Sequence, residues 1–330
     1  MSLTINHQTN DISNSTGTVK LNGTDVGGDN TPLQHAGDRA LVGGGASNGD
    51  VIQYFSIDTT GNSVDFGDLS GAKSGLAALS AAGRAVFGGG FVSGVGKTDV
   101  MEYVTISTTG NATDFGNLIE IFGDQAAGCS NGVRGIFAGG SNASAARTNV
   151  IQYITVATPG NATDFGDLTT ARNRTIGASN GVRGIIPGGE INTSPSVTAT
   201  IDYVTIATTG NAQDFGDLAV AIMGPAASGN DSRGIIAGGQ DASGYSNGKV
   251  NTIQYVTIAT TGNATDFGDL TEVKRLAVST ANKTRATING GQGSGYVNTI
   301  EYVTIATPGN ATDFGDLLAA NSYFSACSGN

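Results

Sequence analysis

One stretch of this chain recurs along it. Ile253-Gln-Tyr-Val-Thr-Ile-Ala-Thr-Thr-Gly-Asn-Ala-Thr-Asp-Phe-Gly-Asp-Leu270 occurs six times with small changes, the other copies starting at Ile52, Met101, Ile151, Ile201 and Ile300. Their tyrosines, Tyr54, Tyr103, Tyr153, Tyr203, Tyr255 and Tyr302, lie 49, 50, 50, 52 and 47 residues apart. Self-similarity at a fixed period marks a supersecondary unit that cannot bury its hydrophobic face alone and is stabilised by stacking on its neighbours. Length alone suggests two domains for 330 residues, but the repeat overrides that expectation.

Within each unit, Ile253-Gln-Tyr-Val-Thr-Ile alternates about a strand axis, with β-branched or aromatic residues on both sides. Such a strand is sandwiched on both faces. Thr-Thr-Gly-Asn, or Thr-Pro-Gly-Asn from Thr158 and Thr307, then makes a tight turn, because Pro presets φ and Gly and Asn tolerate positive φ. A short strand around Asp-Phe-Gly-Asp follows, and its Phe (Phe66, Phe115, Phe165, Phe215, Phe267, Phe314) is the expected unit-to-unit packing residue. Upstream lies a second repeated strand that closes on glycines, as in Arg84-Ala-Val-Phe-Gly-Gly and Arg233-Gly-Ile-Ile-Ala-Gly-Gly. Before it comes a small, polar strand such as Gly128-Cys-Ser-Asn-Gly, suited to a crowded innermost position.

An apolar strand ending in Gly-Gly before a strand with a tyrosine, six times in phase over about residues 37–330, resembles the kelch repeat. That resemblance implies a β-propeller with four strands per blade. The kelch tryptophan is absent, since the chain has no Trp, and the Phe of Asp-Phe-Gly stands in its place. The first unit lacks its innermost strand, and Phe324-Ser-Ala-Cys-Ser-Gly-Asn330 supplies the missing piece. The expected fold is all-β: a six-bladed kelch-like propeller over 31–330, closed by the C-terminal strand, with residues 1–30 as an N-terminal β arm. Closure removes the open edge that would invite aggregation.

The net charge is −11 and the pI about 4.4, which argues against nucleic acid and anionic membranes as partners. No apolar run approaches the length of a membrane-spanning helix. Met1-Ser-Leu-Thr-Ile-Asn-His lacks a basic and apolar leader, so no secretory signal is expected. Cys129 and Cys327 fall on innermost strands of non-adjacent units and are read as buried free thiols.

In the arm, Leu3 and Ile5, then Val19 and Leu21, alternate with polar residues around Ser13-Asn-Ser-Thr-Gly17. The segment is too short and polar to bury a core alone. It is expected to pair with another chain. Ile12-Ser-Asn-Ser-Thr-Gly-Thr-Val-Lys-Leu-Asn-Gly23 resembles leaders of bacteriophage tail and fibre proteins. The resemblance implies a virion protein assembled in the host cytoplasm and attached through this arm, a homo-oligomer or part of an assembly.

Two connections per unit are nearly constant and two vary, and up-and-down strands place both variable ones at one end. Loops on a rigid scaffold carry function, so that end is the expected partner-binding face. Its candidate anchors are Phe91, Phe122, Arg147, Arg172, Arg174, Tyr245, Lys249, Lys274, Arg275, Tyr296 and Tyr323. Aromatics and Arg dominate recognition of proteins and sugars. Phe122 and Phe324 would equally serve as core at the start of an innermost strand.

Catalysis is not expected. The histidines, His7 and His35, precede the repeats, so no Ser/His/Asp constellation or histidine metal cluster can be built within them. Asp-Phe-Gly comes without the other kinase motifs. No metal or cofactor is expected. The paired aspartates are read as turn caps, with calcium at these turns left open. Asn-Ala-Thr at Asn111, Asn161, Asn263 and Asn310 matches a glycosylation sequon, but Asn62 and Asn211 occupy the same turn without it, so the turn itself requires Asn. The expected function is a phage tail-fibre, tip or decoration protein meeting a host protein or glycan. The alternatives are an intracellular kelch-type interaction scaffold and a carboxylate-pair glycan enzyme.

Overall fold

The computed structural model describes residues 3–6, 11–14, 20–21, 24–25, 37–46, 49–194, 196–244 and 247–329. The chain divides into two units, Met1–Pro32 and Leu33–Asn330. In the first, Leu3–Asn6 pairs antiparallel with Asp11–Asn14, and Lys20–Leu21 with Thr24–Asp25. Leu3 and Ile5 therefore pair with the segment next to them rather than with the strand of Leu21, and Val19 lies outside the described residues.

The second unit is an all-β, propeller-like array of six four-stranded antiparallel sheets. The second sheet is typical. Ala77–Ala81 is innermost, followed by Arg84–Gly88, the tyrosine strand Val100–Thr105 and the outermost Thr113–Asn117. The first sheet takes its innermost strand from the other end of the chain: Phe324–Gly329 pairs with Arg39–Gly44 in the register Phe324 to Gly44 through Gly329 to Arg39. The inner strands of all six sheets line a central cavity of about 80 Å³.

One junction joins each sheet to the next. The outermost strand bulges at its Phe: Met101 faces Gly116 while Glu102 faces Asp114, leaving Phe115 as the extra residue. The bulge holds Gly116 at φ 135°, and a Cβ there would lie 2.5 Å from the backbone of Gly160 in the next sheet's turn. Only glycine satisfies both constraints. The turn docks on this gap: Gly160 N–H donates to the Phe115 carbonyl (2.6 Å), Ala162 N–H to the Asn117 carbonyl (2.8 Å), and Asn117 N–H to Asn161 Oδ1 (3.0 Å). The same three bonds recur at every junction. In the last, Gly61 and Ser63 donate to Phe314 and Asp316, and Asp316 donates to Asn62, so the series returns to the first sheet. The outer edge of each sheet is thus covered by its neighbour.

Each outer-strand Phe is buried and meets its own tyrosine edge-on, with ring centroids 5.7–6.1 Å apart. It also packs between sheets: Phe66 lies with Leu76, Ala85, Phe87 and Val104 of the second, and Phe115 with Ile154 and Val156 of the third. Burying such a ring stabilises by about 1.5–3 kcal/mol. The repeated arginines stack on the tyrosine. Their guanidinium carbons stand 4.2–4.8 Å from the tyrosine centroid, a cation–π distance. They also donate to carbonyls of the next sheet, as Arg84 does to Val156 and Ala157, and Arg285 to Ile57 and Asp58.

Inner strands are tied by serines at one repeated position. Ser80 Oγ donates to the Ser328 carbonyl, Ser130 to that of Ser80 and Ser179 to that of Ser130, while Ser328 donates to Ala281. Beside them, Cys129 and Cys327 are buried and free. Burial pushes both thiols up to about 12 from the ordinary 9.0, with the Ser80 hydrogen bond drawing Cys327 slightly back.

Two outcomes follow from this packing. A chain ending at Tyr323 loses Phe324, which is buried, and uncovers the Arg39–Gly44 edge. Losing a buried Phe alone costs about 3–5 kcal/mol, so the melting midpoint should fall by at least about 5 °C in circular dichroism; an unchanged midpoint would contradict the pairing. The two thiols also add an alkaline limit. They stay protonated in the folded chain up to about 12 but ionise near 9.0 when unfolded. Their contribution is therefore intact below 9 and lost between 9 and 12, at about 1.4 kcal/mol per pH unit for each thiol. Chemical unfolding of the Cys129→Ala variant across that range should show a shallower pH dependence than the parent.

Candidate functional site

Antiparallel strand order places two connections of every sheet at one end: the one from the glycine strand to the tyrosine strand, and the one leaving the outermost strand for the next inner strand. These are the variable connections. The described part of the second unit starts at Gly37, whose position is against Gly329, at the opposite end of the sheets. The chain therefore enters this unit at the end that carries the constant turns.

A polar clamp fixes the variable connections. The residue just before the Tyr in each tyrosine strand is Gln53, Glu102, Gln152, Asp202, Gln254 or Glu301, and all six are buried. Each accepts a backbone N–H from the connection leaving the previous sheet: Leu318 to Gln53, Ser70 to Glu102, Ile119 to Gln152, Thr169 to Asp202, Ala219 to Gln254 and Thr271 to Glu301, at 2.6–2.9 Å. In the second, fourth and sixth sheets this group is acidic and takes a buried cation from the same connection. The pairs are Lys73 with Glu102, Arg172 with Asp202 at 2.6 Å and Lys274 with Glu301 at 2.6 Å. The corresponding residues before the neutral glutamines are Asn321, Phe122 and Ile222. Charged and neutral clamps therefore alternate around the series.

Burial lowers the Arg172 guanidinium from its usual value, and the Asp202 charge and hydrogen bond act in the opposite sense. Arg172 further donates to the carbonyls of Gly188 and Thr200, which satisfies the fork that a buried guanidinium needs.

This geometry reassigns several expected recognition residues. Arg172 and Lys274 are 0% exposed and serve as ion-pair partners inside the fold. Arg275 is buried against Gln240 and Gln292. Phe122 is core, its ring 5.9 Å from Phe137, and Phe324 is core as well. None of these four candidates, Phe122, Arg172, Lys274 and Arg275, offers a surface to a partner. Arg147 and Arg174 are half-buried and converge on Glu190, at 2.7 and 3.4 Å. Lys249 and Tyr323 are half-buried. Tyr323 is in the left-handed region at φ 59° and accepts the Gly75 N–H. Tyr245 lies outside the described residues. Phe91 and Tyr296 are exposed, at 48% and 43%.

Sequence reasoning overlooked the exposed aliphatic side chains at this end: Val95, Ile119, Val273 and Leu318. Nothing in their spacing sets them apart from core residues. It also assigned the turn caps to aspartates, whereas the six asparagines cap the junctions, and Asp214 accepts the Gly216 N–H within its own bulge. Among the described residues, no group of three or more His, Cys, Asp or Glu converges as a metal site would.

No protein-family model matches the chain, and a search of curated proteins returns no significant match.

The clamp predicts a specific double-variant result. Arg172→Ile strands Asp202 in a dry site and should cost about 3–5 kcal/mol in urea unfolding. Adding Asp202→Gln rebuilds the neutral pair of the fifth sheet, Ile222 with Gln254, and should recover most of that loss. Strictly additive losses would show that the two side chains do not act as a pair.

Proposed function

We propose that the six sheets are the blades of a closed, kelch-like propeller, and that the chain is a non-enzymatic binding and structural protein of a bacteriophage virion. Two features support ring closure: the junction bonds return from Phe314 and Asp316 to Gly61 and Ser63, and the C-terminal strand completes the first sheet. The observation that carries the binding role is polarity. The chain enters the repeats at the end with constant turns, beside Gly329, and the diverse connections all lie at the other end. A protein that is held at one end and recognises at the other needs this arrangement. The buried acids support a binding role over hydrolysis, because Glu102, Asp202 and Glu301 are each committed to a cation and a backbone amide. The virion setting rests on the likeness of the Ile12–Gly23 stretch to phage fibre leaders, and a fold does not by itself settle function.

Quantitative mass spectrometry of purified virus particles tests the setting. The chain should be present at a fixed copy number, low for a tail or fibre position and high for a capsid decoration. Deleting residues 1–30 should leave a folded propeller and remove it from particles. A chain abundant in cells yet missing from particles would instead favour an interaction scaffold.

A further inference from the structure

The end of the propeller that carries the variable loops is divided in two. Starting at the connection from the fifth to the sixth sheet and passing through the first sheet to the connection between the second and third, it exposes Val273, Tyr296, Leu318, Phe91, Val95 and Ile119. Over the remaining arc, from the third to the fifth sheet, no large apolar side chain among the described residues is exposed at this end. There the exposed side chains are polar or no larger than alanine, and Arg147 and Arg174 are held by Glu190 and Asn192. We infer that the apolar arc is a docking surface for a protein segment that combines apolar side chains with lysine or arginine. This rests on the reading of the loop-bearing end as the recognition face.

Charge selects that partner. Every cation on the arc is withdrawn: Lys73 and Lys274 are buried with Glu102 and Glu301, Lys97 is 3.4 Å from Asp124, and Arg275 is buried. Among the described residues, no cation pairs with Asp50, Asp99, Glu120 or Glu272, which fringe the same arc and are exposed or half-buried. Apolar ground with an acidic fringe attracts a cationic partner and repels an anionic one. It disfavours a second copy of this chain, whose arc has the same sign, and it disfavours an anionic lipid surface. A glycan would need a denser set of aromatic platforms than Phe91 and Tyr296 provide.

The arc is also preorganised. Phe91–Val92 and Gly96–Lys97 form a hairpin that pairs with Lys73–Ser74, and Lys97 Nζ ties it to Ser141 Oγ (2.6 Å) and the Asn142 carbonyl (3.0 Å) of the next sheet. Tyr296 is held through Gln292 to Arg275. Buried ion pairs under both flanks hold these loops, so little ordering remains to oppose binding.

The test is selection of peptides from a random displayed library against the full chain, followed by affinity measurements on the enriched sequences. The expected peptides join apolar residues to Lys or Arg and bind more weakly as ionic strength rises. They should lose about tenfold in affinity on the Phe91→Ser/Val95→Ser variant and again on the Tyr296→Ser/Leu318→Ser variant. Asp50→Asn with Glu272→Gln should reduce the salt dependence. Val133→Ser with Val182→Ser, exposed at the opposite end, should change nothing. Circular dichroism melts, unchanged for these surface variants, exclude misfolding as the cause. Peptides that bind both apolar-arc variants like the parent would overturn the inference, as would enriched sequences that are acidic or uncharged, or no enrichment at all. Particle mass spectrometry is independent of this result, so a chain present in virions with no such peptides would refute the arc alone.

Discussion

The rest of the structure depends on a junction in which a glycine without a side chain admits the backbone of the next sheet. Gly67, Gly116, Gly166, Gly216, Gly268 and Gly315 each carry a positive φ at the bulge and each meet a neighbouring turn where a Cβ would collide. A single Asp-Phe-Gly-Asp stretch therefore performs three tasks. Its Phe enters the inter-sheet core, its Gly opens the edge, and its backbone takes the neighbour's Gly-Asn-Ala, or Gly61-Asn-Ser63 at the return to the first sheet. The recognition element for one repeat lies in the turn of the next, which explains why turn and strand vary so little together. It also accounts for Asn at all six turns, whether or not a hydroxyl residue follows two positions later.

Much of this architecture is legible in the sequence because it repeats. The strand order, the four strands of each unit and the completion of the first sheet by Phe324–Gly329 follow from comparing copies with one another. The candidate surface is less legible, for a physical reason. A Lys or Arg in a variable, loop-like stretch reads as solvent-exposed, and Arg172 and Lys274 satisfy that description fully. Their burial depends on an acid some thirty residues away, in the tyrosine strand of the next sheet. The signal was nevertheless present: Glu102, Asp202 and Glu301 replace Gln at a strand position that is otherwise apolar on either side. A cation stands four residues after the preceding Leu in those three repeats and in none of the others. Phe122 misleads in the opposite sense, since an aromatic beside polar residues reads as an anchor while the packing uses it as core.

The alternation of clamps has a consequence for assembly of the array. Backbone junctions are nearly identical at all six boundaries, so they do not distinguish one neighbour from another. The clamps do. If a connection met the tyrosine strand of a sheet one place out of order, Lys73, Arg172 or Lys274 would face a glutamine, and an acid would face Phe122, Ile222 or Asn321. A buried charge without its partner costs several kcal/mol, far more than the difference between two well-packed neutral alternatives. Six such unpaired charges, three cations and three acids, arise together in a slip of one place, whereas a slip of two restores a charged partner to every one. The charged clamps thus distinguish odd from even positions and leave the final choice to the loops and to the C-terminal strand. That strand has one place to go, because Arg39–Gly44 is the one glycine strand without an innermost neighbour of its own in the adjacent sequence. Chain order then supplies the last discrimination that near-identical repeats cannot.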